Sequence, residues 1–298
     1  MTFDPLNPVF PLGEWVSVGI DVVRAYFGWL FDGFQTGLRV VYESLVFILA
    51  TPPYWIVILV LAAIAWWLRS WRLAVFTLIG FYVIRGFNLW EHAMQTIALV
   101  LVAVICALLL SIPLGIWAAR SDTVSKVIKP ILDLMQTMPA MVYLIPAITI
   151  FGIGPTPGAI ATLVFAMPPG VRLTELAIRQ VDKELVEAGY AFGSPPRRIL
   201  TQIQIPVALP TIMAGVNQVI MLALSMVVLA GMAGAGGLGG DVVGSLSSLN
   251  VPLGIDAGTA VVIIAIYLDR VSAALGDQRG KKRRLRKTPT PSTTDVSA

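Results

Sequence analysis

Few residues in this chain are equipped for chemistry, and their spacing argues against catalysis. His92 is the only histidine and Cys106 the only cysteine among 298 residues. Cys106 stands inside an apolar run, which excludes an internal disulfide and a thiolate metal cluster alike. One histidine leaves almost nothing from which to build a triad, a metalloprotease motif or a proton relay. No G-x-x-x-x-G-K-[ST] loop occurs, because Gly280-Lys281 is followed by Lys282 and lacks the upstream glycine. The charges that do show order lie between Arg172 and Gln204. Arg172, Glu175 and Arg179 recur at helical spacing, and Asp182, Lys183, Glu184 and Glu187 follow on a short helix expected to end at Gly193. Ser194 as a capping hydroxyl and Pro195 at the first helical position predict a second helix, with Pro206 near the return to apolar sequence. A helix, a glycine turn and a helix form a rigid projection, suited to contact rather than to bond-making.

The elements that hold this projection are set by composition. Hydrophobic residues make up 57% of the chain and charged residues 13%, with a mean hydropathy of +0.82; an average soluble domain carries about 25% charged residues. One soluble domain is excluded, and the chain reads as an all-α, polytopic membrane bundle. The 27 uncharged residues Ala93 to Ala119 predict one transmembrane helix, which Pro113 and Gly115 are placed to bend. The 38 between Asp133 and Arg172 are too many for one span and divide at Gly152, Gly154, Pro155 and Pro157. Further spans are expected over Ile205 to Leu229 and Ile255 to Ala274, with two shorter ones over Tyr54 to Leu68 and Leu73 to Ile84. That makes about six to seven spans. The six glycines of Gly231 to Gly240 predict a loop or broken end.

Sidedness follows from lysine and arginine. Seven spans with the N-terminus outside leave only Arg24, Arg39 and Arg85 outside, so 18 of 21 basic residues fall inside. From Glu14, polar or small positions at Ser17, Asp21, Arg24, Gly28, Asp32, Gln35, Arg39 and Glu43 alternate at helical spacing with Trp15, Val18, Val22, Tyr26, Trp29, Phe34, Leu38, Val41 and Leu45. This amphipathic helix ends at Pro52 and Pro53 and either lies on the outer surface, straps the bundle, or is a poorly inserted first helix. The resulting organisation is an amphipathic region over 1–53, short accessory spans over 54–90, a core over 91–276 containing the polar region 182–206, and a basic, disordered cytoplasmic tail over 277–298. Arg279 to Lys287 holds seven basic residues and reads as a topology anchor on anionic lipid, not a nucleic-acid site.

Glu187, Ala188 and Gly189, then Gly193 after three residues, then Ile203 after nine, then Ile205 and Pro206, resemble the EAA motif of ABC importer permeases. Gly189 stands for the second alanine of that pattern and Ile205 for its leucine. The stretches Gln136-Thr137-Met138-Pro139-Ala140, Leu144-Ile145-Pro146, Phe151 to Gly154, Phe165 to Pro169, Arg172-Leu173-Thr174, Pro210 to Gln218 and Leu222 to Val228 are similar to glycine betaine and proline betaine permeases. The resemblance covers about Glu91 to Gln278. It implies an ABC importer permease fold. It also implies ATPase coupling through Glu187, Ala188, Gly189, Gly193, Ser194, Pro195, Ile203, Ile205 and Pro206, with the motif glutamate meeting the ATPase. The implied partners are a cytoplasmic ATPase that binds ATP and Mg, an external or periplasmic substrate-binding protein, a second permease copy and membrane lipid. The implied location is the bacterial cytoplasmic membrane, with the C-terminus inside. No cofactor or metal is expected in this chain.

Candidate path residues are Met138, Tyr143, Asn217 and Gln218. Methionine and aromatic rings offer a soft passage to a methylated ammonium. Asn217 and Gln218 lie in an apolar helix, where one is assigned to packing and the other to the path, without distinguishing them. His92 reads as an interfacial residue, and Gly33 and Gly37 fit a small-xxx-small pattern. An importer of another small solute such as an amino acid is the alternative. An ion-coupled secondary transporter would need a carboxylate in mid-span, which the best spans lack.

Overall fold

The computed structural model describes residues 12–284, with side chains described from 13 to 274. All regular structure in this range is helical. An N-terminal helix α1 (Leu12–Ala50) precedes a short pair, α2 (Tyr54–Leu68) and α3 (Trp71–Gly86). Next come α4 (Trp90–Arg120), α5 (Asp122–Thr137), a 3-10 turn at Ala140–Tyr143, α6 (Leu144–Phe151) and α7 (Pro155–Arg179). The polar segment forms α8 (Lys183–Ala191), α9 (Pro196–Ile199) and a π-helical turn at Leu200–Gln204. The chain continues as α10 (Ile205–Ala230), a 3-10 turn at Gly231–Ala233, α11 (Gly237–Ser248) and α12 (Val251–Arg284).

The core is the packing of α4, α7 and α10, with α11 and α12 against α10. Lipid gives helices no hydrophobic drive toward each other, so close approach through small residues does this work. A Cβ on Gly115 would stand 2.6 Å from Thr174 Cβ and 2.7 Å from the Val171 carbonyl oxygen, and one on Gly170 would meet Ser111 Oγ at 2.6 Å. These pairings run in one direction along both helices, so α4 and α7 are parallel. Gly231 and Gly239 bring α10 and α11 into backbone contact, where an added Cβ would lie 2.3 Å from the opposing chain.

Helices long and apolar enough to cross a membrane are fewer than the charge gaps indicate. Among the described residues three qualify, at Trp90–Arg120, Pro196–Ala233 and Val251–Ala274, and up to five if each of two bent pairs counts as one span. The difference has a physical basis. α2 and α3 have 15 and 16 residues, about 22–24 Å of rise against roughly 30 Å of hydrocarbon. α6 has only eight residues, and its pair with α5 is bent by 110°. The chain does break at Gly152 and Gly154, with φ of 79° and 145°, but what precedes the break is this bent pair and not a straight span. α4 continues through Pro113.

Three boundaries also differ. The glycine run is not all loop, because Gly237–Ser248 is a helix whose first amides are capped from another element. Gln95 Oε1 accepts from the Gly237 amide at 3.1 Å and Thr96 Oγ1 from the Leu238 amide at 2.9 Å, while His92 Nδ1 and Asp241 Oδ2 lie 2.6 Å apart. The final helix, though not its apolar span, extends past the expected start of the tail, since α12 runs to Arg284; residues 285–298 of the basic tail lie outside the described residues. The helix expected to start on Ser194 instead has Pro195 as its cap and Pro196 in its first turn, without a side-chain capping bond.

α1 is one 39-residue helix standing at 101° to α2. It crosses α4, α6 and α7. Arg24 Nη1 donates to the Thr149 carbonyl at 3.1 Å, Gln35 Nε2 to the Phe151 carbonyl at 3.0 Å, and Phe31 meets Phe151 edge-on at 5.7 Å. Gly33 and Gly37 face a hollow shared with Val102, Ile105 and Cys106 of α4.

Candidate functional site

The motif residues are brought together by α8, its turn and the start of α10. Asp182 caps α8, its Oδ1 accepting from the Glu184 amide at 3.0 Å. At the other end Gly193 has φ 71°, its amide donates to the Tyr190 carbonyl at 2.8 Å, and the Ser194 amide donates to the Gly189 carbonyl at 3.1 Å. Two such crossed bonds around a left-handed glycine are a Schellman closure, which satisfies the last carbonyls of a helix without extending it.

Gly189 is buried, and a Cβ there would lie 2.8 Å from Ile203 Cδ1 and 3.3 Å from Ile199 Cγ1. The two halves of the motif, fourteen positions apart, are therefore in packing contact. Ile205 and Pro206 open α10. Proline has no N–H to donate, and just before it the Ile205 amide reaches back five residues to the Leu200 carbonyl, which gives the π turn. Glu187 and Ala188 are exposed on the outer face of α8, with Leu185, Tyr190 and Phe192 beside them; Phe192 is 90% exposed. A rigid helix with acidic and aromatic groups outward and glycine–isoleucine packing inward can dock a partner, and nothing in it can activate a nucleophile.

Only Gln180, Val181 and Asp182 separate α8 from α7. Above that link Glu175 is buried, its side chain 6% exposed. It accepts from Ser125 Oγ at 2.7 Å and Arg179 Nε at 2.9 Å, with Lys129 Nζ at 3.6 Å. Arg179 also reaches Asp122 Oδ1 at 2.7 Å and the Ala118 carbonyl at 2.8 Å, and Arg172 pairs with Asp133. The helical spacing of Arg172, Glu175 and Arg179 was the available signal for this network; its partners on α4 and α5 were not identifiable from the sequence.

The expected path residues do not form one site. Tyr143 is buried in a small cluster with Met226, Ala161 and Ala233, with Met138 and Phe165 packed on it; its hydroxyl donates to the Met135 carbonyl and its ring lies 6.0 Å from that of Phe165. Asn217 faces α12. Its Nδ2 donates to Asp269 Oδ1 at 3.1 Å and its Oδ1 accepts from Ser272 Oγ at 2.5 Å, so both ends of its amide join helices. Gln218 is exposed.

A model of the family described as "Binding-protein-dependent transport system inner membrane component" matches residues 111–275. The chain is 46% identical over 265 residues to the glycine betaine transport system permease protein OpuAB of Bacillus subtilis (strain 168), covering 89% of this chain and 94% of that protein. It is 44% identical over 283 residues to the glycine betaine/proline betaine transport system permease protein ProW of Escherichia coli (strain K12), covering 94% and 80%. Identity to the glycine betaine/carnitine transport permease protein GbuB of Listeria monocytogenes serotype 1/2a (strain 10403S) is 43%, covering 91% and 97%. The fold is similar to a chain of the MetNI methionine ABC transporter, with a TM-score of 0.57 at 21% identity over 65% of this chain and 95% of that one.

Proposed function

The chain belongs to the family of binding-protein-dependent transport system inner membrane components, and from that premise we propose that it is the permease subunit of an ATP-driven importer for a quaternary-ammonium osmolyte of the glycine betaine, proline betaine or choline class. The observation that carries the substrate class is the 43–46% identity, over nine-tenths of this chain or nearly so, to permeases each named for glycine betaine.

In this reading α8 and the turn at Gly193 dock on a cytoplasmic ATPase subunit, which binds ATP and Mg. Glu187 meets the ATPase surface, and Gly189, Ile203, Ile205 and Pro206 tie the docked helix to α10. Ser194 and Pro195 hold the turn. The permease works as a pair of identical subunits with two ATPases, and an external substrate-binding protein delivers solute. ATP binding draws the ATPases together, and the two-state bundle opens alternately outward and inward. Met138 and Tyr143 are the path candidates, and Gln218 is the polar α10 residue left for that role once Asn217 is assigned to packing. The chain sits in the cytoplasmic membrane with α8 and the end of α12 inside and the N-terminus outside. α1 suits a strap across the bundle, since it packs along α4 from Glu91 to Cys106 and bonds the Thr149 and Phe151 carbonyls.

The test is uptake of labelled glycine betaine into proteoliposomes holding permease, cognate ATPase and binding protein, with choline, carnitine, proline betaine and ordinary amino acids as competitors. Competition confined to methylated ammonium compounds is expected. Uptake of only a typical amino acid would reject the osmolyte assignment and leave the importer fold intact.

A further inference from the structure

Within a single subunit α5 buries little apolar surface, and Val127, Ile131 and Leu134 on it are exposed. Its buried residues are Ser125 and Leu132 alone, and the chain leaves helical geometry on both sides of it, at Ser121 (φ −137°, ψ 115°) and at Met138 (φ −70°, ψ 135°). The second of these precedes the 110° bend. What holds α5 to α7 is polar. Glu175 of α7 accepts from Ser125 and faces Lys129, Arg172 pairs with Asp133, and Arg179 bonds Asp122 together with the last turn of α4. The contacts are spaced along both helices like a zip.

We propose that this network is a breakable latch, and that Glu175 is a positioning residue through which displacement of α8 controls the angle of α5. The inference rests on the proposed importer function. Geometry supplies the order of events. Three residues join α8 to α7, so a pull on α8 reaches Arg179 first, then Glu175 one turn above, then Arg172. α5 carries at its far end Met135, whose carbonyl accepts from Tyr143, and Met138, which packs on the Tyr143 cluster. Release of the polar contacts therefore swings an arm whose tip lies at the candidate path. Packed interfaces are bistable and not continuously deformable, and ion pairs that separate exchange their partners for water, so the arm has two discrete positions.

The experiment uses the reconstituted complex of permease, ATPase and binding protein, and reads uptake and ATP hydrolysis together. Glu175→Gln removes the charge and keeps the shape. Basal hydrolysis without binding protein is expected to rise at least threefold, and solute moved per ATP to fall at least threefold, with assembly unchanged on size-exclusion chromatography. Arg172→Asp is expected to lower solute per ATP similarly, and the exchanged pair Arg172→Asp with Asp133→Arg to restore more than half of it. In a third arm, Cys106→Ala with Asp133→Cys and Arg172→Cys is bridged by a flexible bis-methanethiosulfonate, which forms a disulfide with each thiol as methanesulfinate leaves and is removed again by reductant. Uptake, already lowered by loss of the pair, should stop while bridged and return to that lowered level on cleavage. Uptake that bridging leaves unchanged, or an unchanged ratio of transport to hydrolysis in Glu175→Gln, would overturn the latch and leave the importer function standing. Absence of ATP-dependent uptake by the unaltered chain would instead reject the function on which it rests.

Discussion

Two glycines four positions apart in the motif sit in different environments. Gly193 needs its left-handed backbone, with φ 71°, and has open space where a Cβ would stand. Gly189 has an ordinary helical backbone, but a Cβ would press on Ile203 and Ile199. Substitution separates the two causes. Gly193→Ala is expected to cost about 1–2 kcal/mol through backbone strain alone. Gly193→Arg adds bulk and charge on the docking face, and uptake should fall more than tenfold with membrane insertion intact. Gly189→Ala should lie within about 1 kcal/mol of neutral, because the nearest atom is a movable terminal methyl and alanine favours a helix over glycine by about that amount. Gly189→Leu should displace Ile203 and abolish coupling. Thermal unfolding in detergent and the uptake assay together check all four. Gly193 was legible from spacing, because a helix stop needs a glycine. The role of Gly189 was not, because its partner is distant in the chain.

The elements show where hydropathy misleads. α11 starts within a stretch rich in glycine, and by propensity such a stretch is a loop. It is helical because α4 supplies the missing acceptors, Gln95 Oε1 and Thr96 Oγ1, at the first two amides. Thr96→Val keeps shape and deletes one acceptor, leaving the buried Leu238 amide unpaired. A loss of about 1–3 kcal/mol is expected, read as a lowered Tm and faster hydrogen exchange confined to the start of α11, and Thr96→Ser should recover most of it. α12 shows the opposite error, a helix longer than its apolar segment, because extending a helix that the span has already nucleated costs far less than starting one. α1 was legible as amphipathic from the spacing of its polar positions. Its contacts with the Thr149 and Phe151 carbonyls were not, because they depend on the break after α6 that leaves those carbonyls without helical partners.

At the scale of the whole molecule, the contrast is between a transporter driven from another subunit and one driven by an ion gradient. A gradient-driven carrier places a titratable carboxylate where the substrate passes. Here the buried carboxylate of Glu175 is held by Ser125, Lys129 and Arg179, and the partly exposed carboxylate of Asp269 by Asn217 on a neighbouring helix. Both are committed to helix contacts. Permease reconstituted without the ATPase should therefore show no uptake under an imposed proton or sodium gradient, and ATPase with ATP should restore it. Gradient-driven uptake in the absence of ATPase would replace the importer mechanism.

The sequence by itself determined the membrane environment, the all-helical class, the cytoplasmic assignment of the basic residues as an expectation, and the helix–glycine–helix motif. Each of these is written in local composition or in short fixed spacings, which act before any long-range contact forms. The tertiary structure alone decided that α5 and α6 form a bent pair, that Asn217 is spent on α12, that α11 is a helix and that Glu175 and Arg179 together join α7 to α4 and α5. Those outcomes depend on which buried polar group finds which partner. In a medium without water that choice is made by the packing of helices 50 to 150 residues apart, which no local pattern encodes.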